Sequence, residues 1–216
     1  LTLARLAGRM ADYGSIRLWG SVGFVVAVLA GGWALDRIPL GILPWLFVAT
    51  ILATLAGTAG LVEARRAGSR STGRVWPLLR RPEVAVLMAA CFLMCAAHGP
   101  LYSFFSIYAD AAGHDKTTIG LLWTIGVLAE IAVFATLARW LPRIALERVL
   151  AASFAVAVLR FLMIGWGVDS LALLALAQLM HGATFGSYHI AALGIVNRWF
   201  EGRAKVRGKA LYASIS

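Results

Sequence analysis

Charge is the first thing this chain is short of. Only 14% of its 216 residues are Asp, Glu, Lys or Arg, where a soluble domain carries about 25%. Acids are scarcer still, ten against twenty basic residues. There are two cysteines, Cys91 and Cys95, four apart in one apolar run. Two thiols one turn apart make neither a disulfide framework nor a zinc site, so they read as small packing residues. Catalytic fingerprints are missing as well: no GxSxG, no HExxH, no P-loop and no dinucleotide-binding glycine pattern. These gaps exclude an ordinary soluble domain and argue against an enzyme. No cofactor and no metal is expected.

What fills the chain is apolar. Hydrophobic residues make up 61% of it, and the mean hydropathy is +0.81. A net charge of +10 would suggest nucleic acid in a soluble protein. Here the basic residues sit in short loops between apolar runs, so membrane topology explains them and no nucleic-acid partner is expected. About 20 mostly apolar residues span a bilayer, and six runs qualify: Ile16–Leu35, Ile42–Val62, Val84–Tyr108, Thr118–Leu141, Val149–Trp166 and Leu171–Phe200. The first residues are polar and basic rather than a signal peptide. A further helix begins near Gly208, so a piece of a longer protein is expected.

Loop charge orients the spans. Seventeen of the twenty basic residues fall on one side of the spans: before or at the mouth of span one, between spans two and three, from the end of four to the start of five, or from the end of six onward. Only Arg37 and Lys116 lie on the other side, and Arg160 lies within span five. The positive-inside rule puts the seventeen in the cytoplasm. The stretch 63–83 is long, rich in Arg and contains Gly68, Ser69, Ser71, Thr72 and Gly73. It reads as a cytoplasmic linker between two helix groups, with a regulatory or lipid-binding patch as the alternative.

Ionisable side chains inside such spans cost about 2.5–3.5 kcal/mol each at the bilayer centre. Arg17, His98, Glu130, Arg160 and His181 are therefore expected to share a polar interior. In span three, His98, Tyr102 and Phe105 recur on one helical face around Gly99-Pro100. That dipeptide is either a hinge or a packed kink. In span four Glu130 is either a proton-coupling carboxyl or half of a buried pair with Arg160. In span six Gln178, His181, Phe185, Tyr188 and His189 fall within about 100° of an ideal helix. Such a stripe either binds a polar, flat solute or packs.

Several of these segments resemble one branch of a known family. Tyr13-Gly14-Ser-Ile-Arg17-Leu18-Trp19-Gly20-Ser21-Val-Gly23-Phe24 resembles the start of the fifth helix in the lactose-permease and phenylpropionate-permease branch of the major facilitator superfamily. Gly99-Pro-Leu-Tyr102-Ser-Phe-Phe-Ser-Ile-Tyr108 resembles the seventh, and Gly120-Leu-Leu-Trp123-Thr-Ile-Gly126-Val-Leu-Ala-Glu130 the eighth. His181-Gly-Ala-Thr-Phe185-Gly-Ser-Tyr-His189 resembles the tenth, and Arg207-Gly208-Lys-Ala-Leu-Tyr212 the approach to the eleventh.

The resemblance implies an all-α integral membrane protein, a polytopic helical bundle forming part of a twelve-helix carrier with two six-helix halves. Residues 1–62 would be the last two helices of the N-terminal half, 63–83 the inter-half loop, and 84–216 four helices of the C-terminal half with the start of a fifth. Sugar-carrying members use the counterpart of Arg17 for substrate, and those of Glu130 and His181 near the site. The counterpart of Arg160 serves proton coupling. Two departures stand out, Ser15 for a second basic residue and Thr184 for the coupling carboxylate, and they make lactose a poor guess.

The expectation is thus a secondary active transporter of the bacterial inner membrane. It would be a proton-coupled symporter of an aromatic acid, nucleoside or sugar, working as a monomer. Arg17, Phe24, His98, Tyr102, Phe105 and His189 would bind substrate, and Glu130, Arg160 and His181 would couple protons. A proton-antiport efflux carrier and a non-transporting membrane sensor are the alternatives.

Overall fold

The computed structural model describes residues 10–59, 80–140, 144–200 and 203–214, the side chains at 10–19, 137–140 and 203–206 excepted. Every regular element in them is helical: α1 Met10–Leu35, α2 Leu43–Ala59 after a 3₁₀ turn at Leu40–Ile42, α3 Pro82–Ala111, α4 Lys116–Trp140, α5 Leu146–Trp166, α6 Leu171–Leu179, α7 Ser187–Trp199 and α8 Arg203–Ala213. A π-helical turn, Gly182–Gly186, interrupts the run between α6 and α7. In lipid the backbone has no water to bond with, so long apolar segments satisfy their own amides as helices.

Four stretches are long and apolar enough to cross a membrane: Leu40–Ala59, Pro82–Ala111, Lys116–Thr136 and Leu146–Trp166. The first expected span is helical from Met10, but its described apolar portion, Gly20–Leu35, is shorter. The sixth is divided by the π turn. Pro100 lies inside α3, which runs unbroken past it to Ala111. The segment 63–79 lies outside the described residues.

The helices enclose two apolar clusters. One joins Val84, Leu87, Met88, Cys91 and Met94 of α3 to Ala157 of α5, to Tyr188, Ala192 and Ile195 of α7, and to Phe200 and Tyr212. The other joins Leu101, Phe105 and Ala109 of α3 to Ile119 and Leu122 of α4, Ile164 of α5, and Leu174 and Ala177 of α6. Between them, His98 on α3, Arg160 on α5 and Gln178, His181 and Thr184 on the last span are all buried. A polar layer is held between two apolar ones. Lipid does not drive helices together as water does, so close contact and hydrogen bonding hold this arrangement.

Gly182 is one such contact. A Cβ there would stand 2.4 Å from the Ala129 carbonyl oxygen of α4, and backbone cannot yield as a side chain can. Gly182→Ala should therefore force α4 away from the π turn at a cost of about 1–3 kcal/mol, read as a lower melting temperature in detergent.

The start of α4 is capped twice. Asp36, just past α1, accepts bonds from the Lys116 and Thr117 amides at 2.8 and 2.9 Å. Asp115 accepts from the Thr118 amide at 2.7 Å, and its carbonyl takes the Ile119 amide at 3.0 Å. The three open amides of the first turn, those of Lys116, Thr117 and Thr118, are thus each bonded to a carboxylate, and the Ile119 amide makes the first bond of the helix itself. The Thr118 amide and hydroxyl hold the Asp115 carboxyl below its usual range. Such a carboxyl contributes stability above the ordinary carboxylate range and loses it as pH falls through the depressed value. The melting-temperature gap between the parent and Asp115→Asn should therefore stay constant from about pH 8 to about pH 5 and close below about pH 4.

Candidate functional site

Arg160 is fully buried at the middle of the polar layer. Its Nε donates to the Ala177 carbonyl at 2.8 Å, and one terminal nitrogen to Gln178 Oε1 at 3.2 Å. The other terminal nitrogen reaches Thr184 Oγ1 at 3.3 Å and His98 Nε2 at 3.4 Å. His98 Nδ1 lies 2.9 Å from the Met94 carbonyl, which can only accept. The ring proton therefore sits on Nδ1, and in the neutral ring Nε2 presents its lone pair to the guanidinium. All four of these partners are uncharged. The planar fork of an arginine, with donors in several directions, is what lets one side chain tie three helical segments together.

Glu130 and His181 stand beside this network. His181 Nε2 is 3.8 Å from Glu130 Oε2, within ion-pair reach and beyond a hydrogen bond. The expected alternative of a Glu130–Arg160 pair is not among the described ion pairs. Gly126 makes room for this arrangement: a Cβ there would lie 3.1 Å from Gln178 Oε1 and 3.6 Å from His181 Cβ. Among the described residues, Gln178 Nε2 and His181 Nδ1 are buried without a hydrogen-bond partner.

A cavity of about 360 Å³ opens against these groups, lined by Gly20, Ser21, Phe24, Tyr102, Trp123, Val127, Glu130 and His181. Tyr102 and Trp123 stack in it, with ring centroids 5.8 Å apart and 17° between planes. The Trp123 indole donates to Ser106 Oγ at 3.0 Å, which fixes its ring. Its walls are therefore a carboxyl, an imidazole and a flat aromatic surface.

The expected site residues divide on this geometry. Phe24, Tyr102, Glu130 and His181 line the cavity, and His98 and Arg160 lie beneath it in the polar layer. Phe105 is only 2% exposed, packed edge-on to Trp123 within an apolar cluster, where it supports the cavity wall without lining it. His189 turns away to hydrogen-bond Tyr212 and meets Phe185 edge-on. Arg17 lies on α1, its side chain outside the described residues.

The sixth-span stripe also divides, because the π turn breaks the ideal repeat on which it was drawn. Gln178 faces Arg160, His181 and Phe185 stack 5.3 Å apart, and Tyr188 donates to the Cys91 carbonyl at 3.3 Å. Thr184, read from sequence as a lost carboxylate, is instead a partner of Arg160 and donates to the His181 carbonyl at 3.2 Å. Trp123 and Gln178 carry more of the site than residue type alone implies. A glycine one turn on from each, Gly126 three positions after Trp123 and Gly182 four after Gln178, was the available signal for close packing there.

Arg160→Lys isolates the value of the fork, since it keeps the charge but offers a single ammonium. Acceptors among Gln178, Thr184, His98 and the Ala177 carbonyl lose their donor, and each orphaned buried group costs about 1–3 kcal/mol. The variant should melt at a lower temperature in detergent with its helix content unchanged by circular dichroism.

Fold and site together define a polytopic α-helical membrane protein with a polar, cavity-bearing interior. The family model described as the MFS_1 like family matches residues 1–216, and the chain belongs to that family, within the major facilitator superfamily of transporters. It is 30% identical to the "Probable 3-phenylpropionic acid transporter" of Escherichia coli over 210 residues, which is 95% of this chain and 55% of the relative. It is 27% identical over 221 residues to the "Maltose permease" of Geobacillus stearothermophilus, 100% of this chain and 55% of that one. An "Uncharacterized transporter YwbF" of Bacillus subtilis is 26% identical over 210 residues, 94% of this chain and 51% of that one. The chain spans about half the length of the curated relatives it matches. No solved structure matches it.

Proposed function

We propose that this chain is the central part of a proton-coupled symporter that carries a small polar or aromatic solute by alternating access. The observation that carries the reading is the Glu130–His181 contact at 3.8 Å opening on a cavity faced by stacked Tyr102 and Trp123. A carboxyl kept inside a membrane-spanning helix and facing an interior cavity is costly, which favours a place on a substrate or proton path. Protonating it lowers the charge of the cavity, so the loaded carrier reorients while a half-loaded one is held back.

The flat aromatic wall favours a planar solute. Together with the phenylpropionic acid relative, it puts aromatic acids ahead of nucleosides and sugars. Arg17 joins the site from α1 as the anchor for a polar or anionic group, with Phe24 and His98 shaping the pocket. Arg160 holds His98, Thr184 and Gln178 in register with His181 and carries the linkage from them. Residues 1–62 and 84–216 belong to opposite halves, 63–83 joins them in the cytoplasm, and the protein sits in the bacterial inner membrane with the basic loops inside.

The test uses the protein as the cell makes it, reconstituted in liposomes that report internal pH. Aromatic acids, nucleosides and small sugars are added outside in turn. Acidification driven by one of them, abolished in Glu130→Gln with solute binding retained, is the expected result. Solute entry without proton movement would remove the coupling role of Glu130, and binding without flux would turn the reading to a sensor.

A further inference from the structure

Helices α1 and α4 touch backbone to backbone at one end and part at the other. A Cβ on Gly32 would lie 2.5 Å from the Lys116 carbonyl oxygen, and one on Gly120 would lie 2.7 Å from the Val28 carbonyl oxygen. The two glycines thus face each other's helix reciprocally, leaving no room for a side chain at either point of contact, with a cavity of about 740 Å³ beside them lined by Gly32, Lys116 and Gly120. Farther along α1 a Cβ on Gly20 or Gly23 would meet nothing within 4 Å. There the cavity of the candidate site lies between Ser21 and Phe24 of α1 and Trp123, Val127 and Glu130 of α4.

The touching end is fastened by Asp36. Its carboxylate accepts the Lys116 amide at 2.8 Å, the Thr117 amide at 2.9 Å and the Thr117 hydroxyl at 2.5 Å. The first turn of a helix carries partial positive charge, which strengthens a carboxylate's hold there. Both sides of this contact are themselves anchored. Arg37 folds back on α1, donating to the Trp33 carbonyl at 2.8 Å with its guanidinium 4.3 Å from the Trp33 ring centre. Lys116 reaches Asp110 of α3 at 3.0 Å. The Arg37 and Lys116 side chains that flank this contact are thus each held by groups on their own side of it.

We infer that Asp36 is a latch residue: its bonds to the start of α4, across the Gly32–Gly120 contact, hold the extracellular exit of the cavity shut. The inference rests on the carrier reading for its meaning, since it places α1 and α4 in opposite halves and their touching ends outside. Opening toward the outside requires the three bonds to part together, so Asp36 sets the balance between the two exposures without touching the solute. The carboxyl is held below its usual range, first by the Thr117 hydroxyl and then by the two amides, so it stays ionised at neutral pH.

The test is labelling by a membrane-impermeant maleimide from the extracellular side, with a cysteine introduced at Ser21 of the cavity and the other cysteines replaced. The protein is used as the cell makes it, in right-side-out vesicles. Labelling follows the population open to the outside, so Asp36→Asn should react at least about fivefold faster than the parent. Thr117→Val, which removes one bond of the three, should react faster by a smaller factor. Parental rates in both variants would overturn the latch. Should Asp36→Asn fail to reach the membrane, Thr117→Val decides alone, and a parental rate there overturns it. Solute uptake by the parent is measured in parallel. Faster labelling in a protein that moves no solute would remove the carrier reading and leave the latch, and uptake with unchanged labelling would do the reverse.

Discussion

A guanidinium cannot stay charged and buried in a lipid-embedded bundle unless its donors are met. Arg160 meets them with a backbone carbonyl, an amide, a hydroxyl and an imidazole drawn from α3, from α6 and from the π turn. The apolar clusters above and below make this demand severe, because they keep water from substituting for any partner. The positions of His98, Gln178 and Thr184 follow from it. His181, between Gln178 and Thr184 on the same segment, is carried into place beside Glu130.

The π turn is what makes this possible. A regular helix would set Gln178, His181 and Phe185 on one continuous face with Tyr188 and His189. The extra residue in the turn lets the first part of the span address Arg160 and the cavity while the second addresses Cys91 and Tyr212. Gly182 and Gly186 bracket the turn, and Gly182 admits the Ala129 carbonyl of α4 to direct contact. Interruptions of this kind recur at functional positions in helices. Here the turn joins the polar layer to the cavity.

Much of the fold was legible because a bilayer is a demanding solvent. Apolar runs of spanning length read directly as helices, and the observed helices α2 to α5 begin and end within a few residues of the expected spans. The polar interior was legible for the same reason, since His98, Glu130, Arg160 and His181 stand out against apolar neighbours. What failed were inferences about direction. Phe105 and His189 share a helical face with cavity residues, yet neighbouring helices fill the space in front of them. Glu130 was weighed as a partner of Arg160 on charge alone, and the structure gives that arginine neutral partners.

Composition and order along the chain by themselves determined that this is a multi-pass helical membrane protein and which residues lie too deep to be casual. Those properties depend on hydropathy and local spacing, which are written residue by residue. Only the tertiary structure decided which of the deep residues meet. Pairing depends on the rotation of each helix about its axis, on a π turn that no periodicity announces, and on backbone contacts at Gly32, Gly120 and Gly182 between segments far apart in sequence. Those are set by packing among helices, and packing is a property of the assembled bundle.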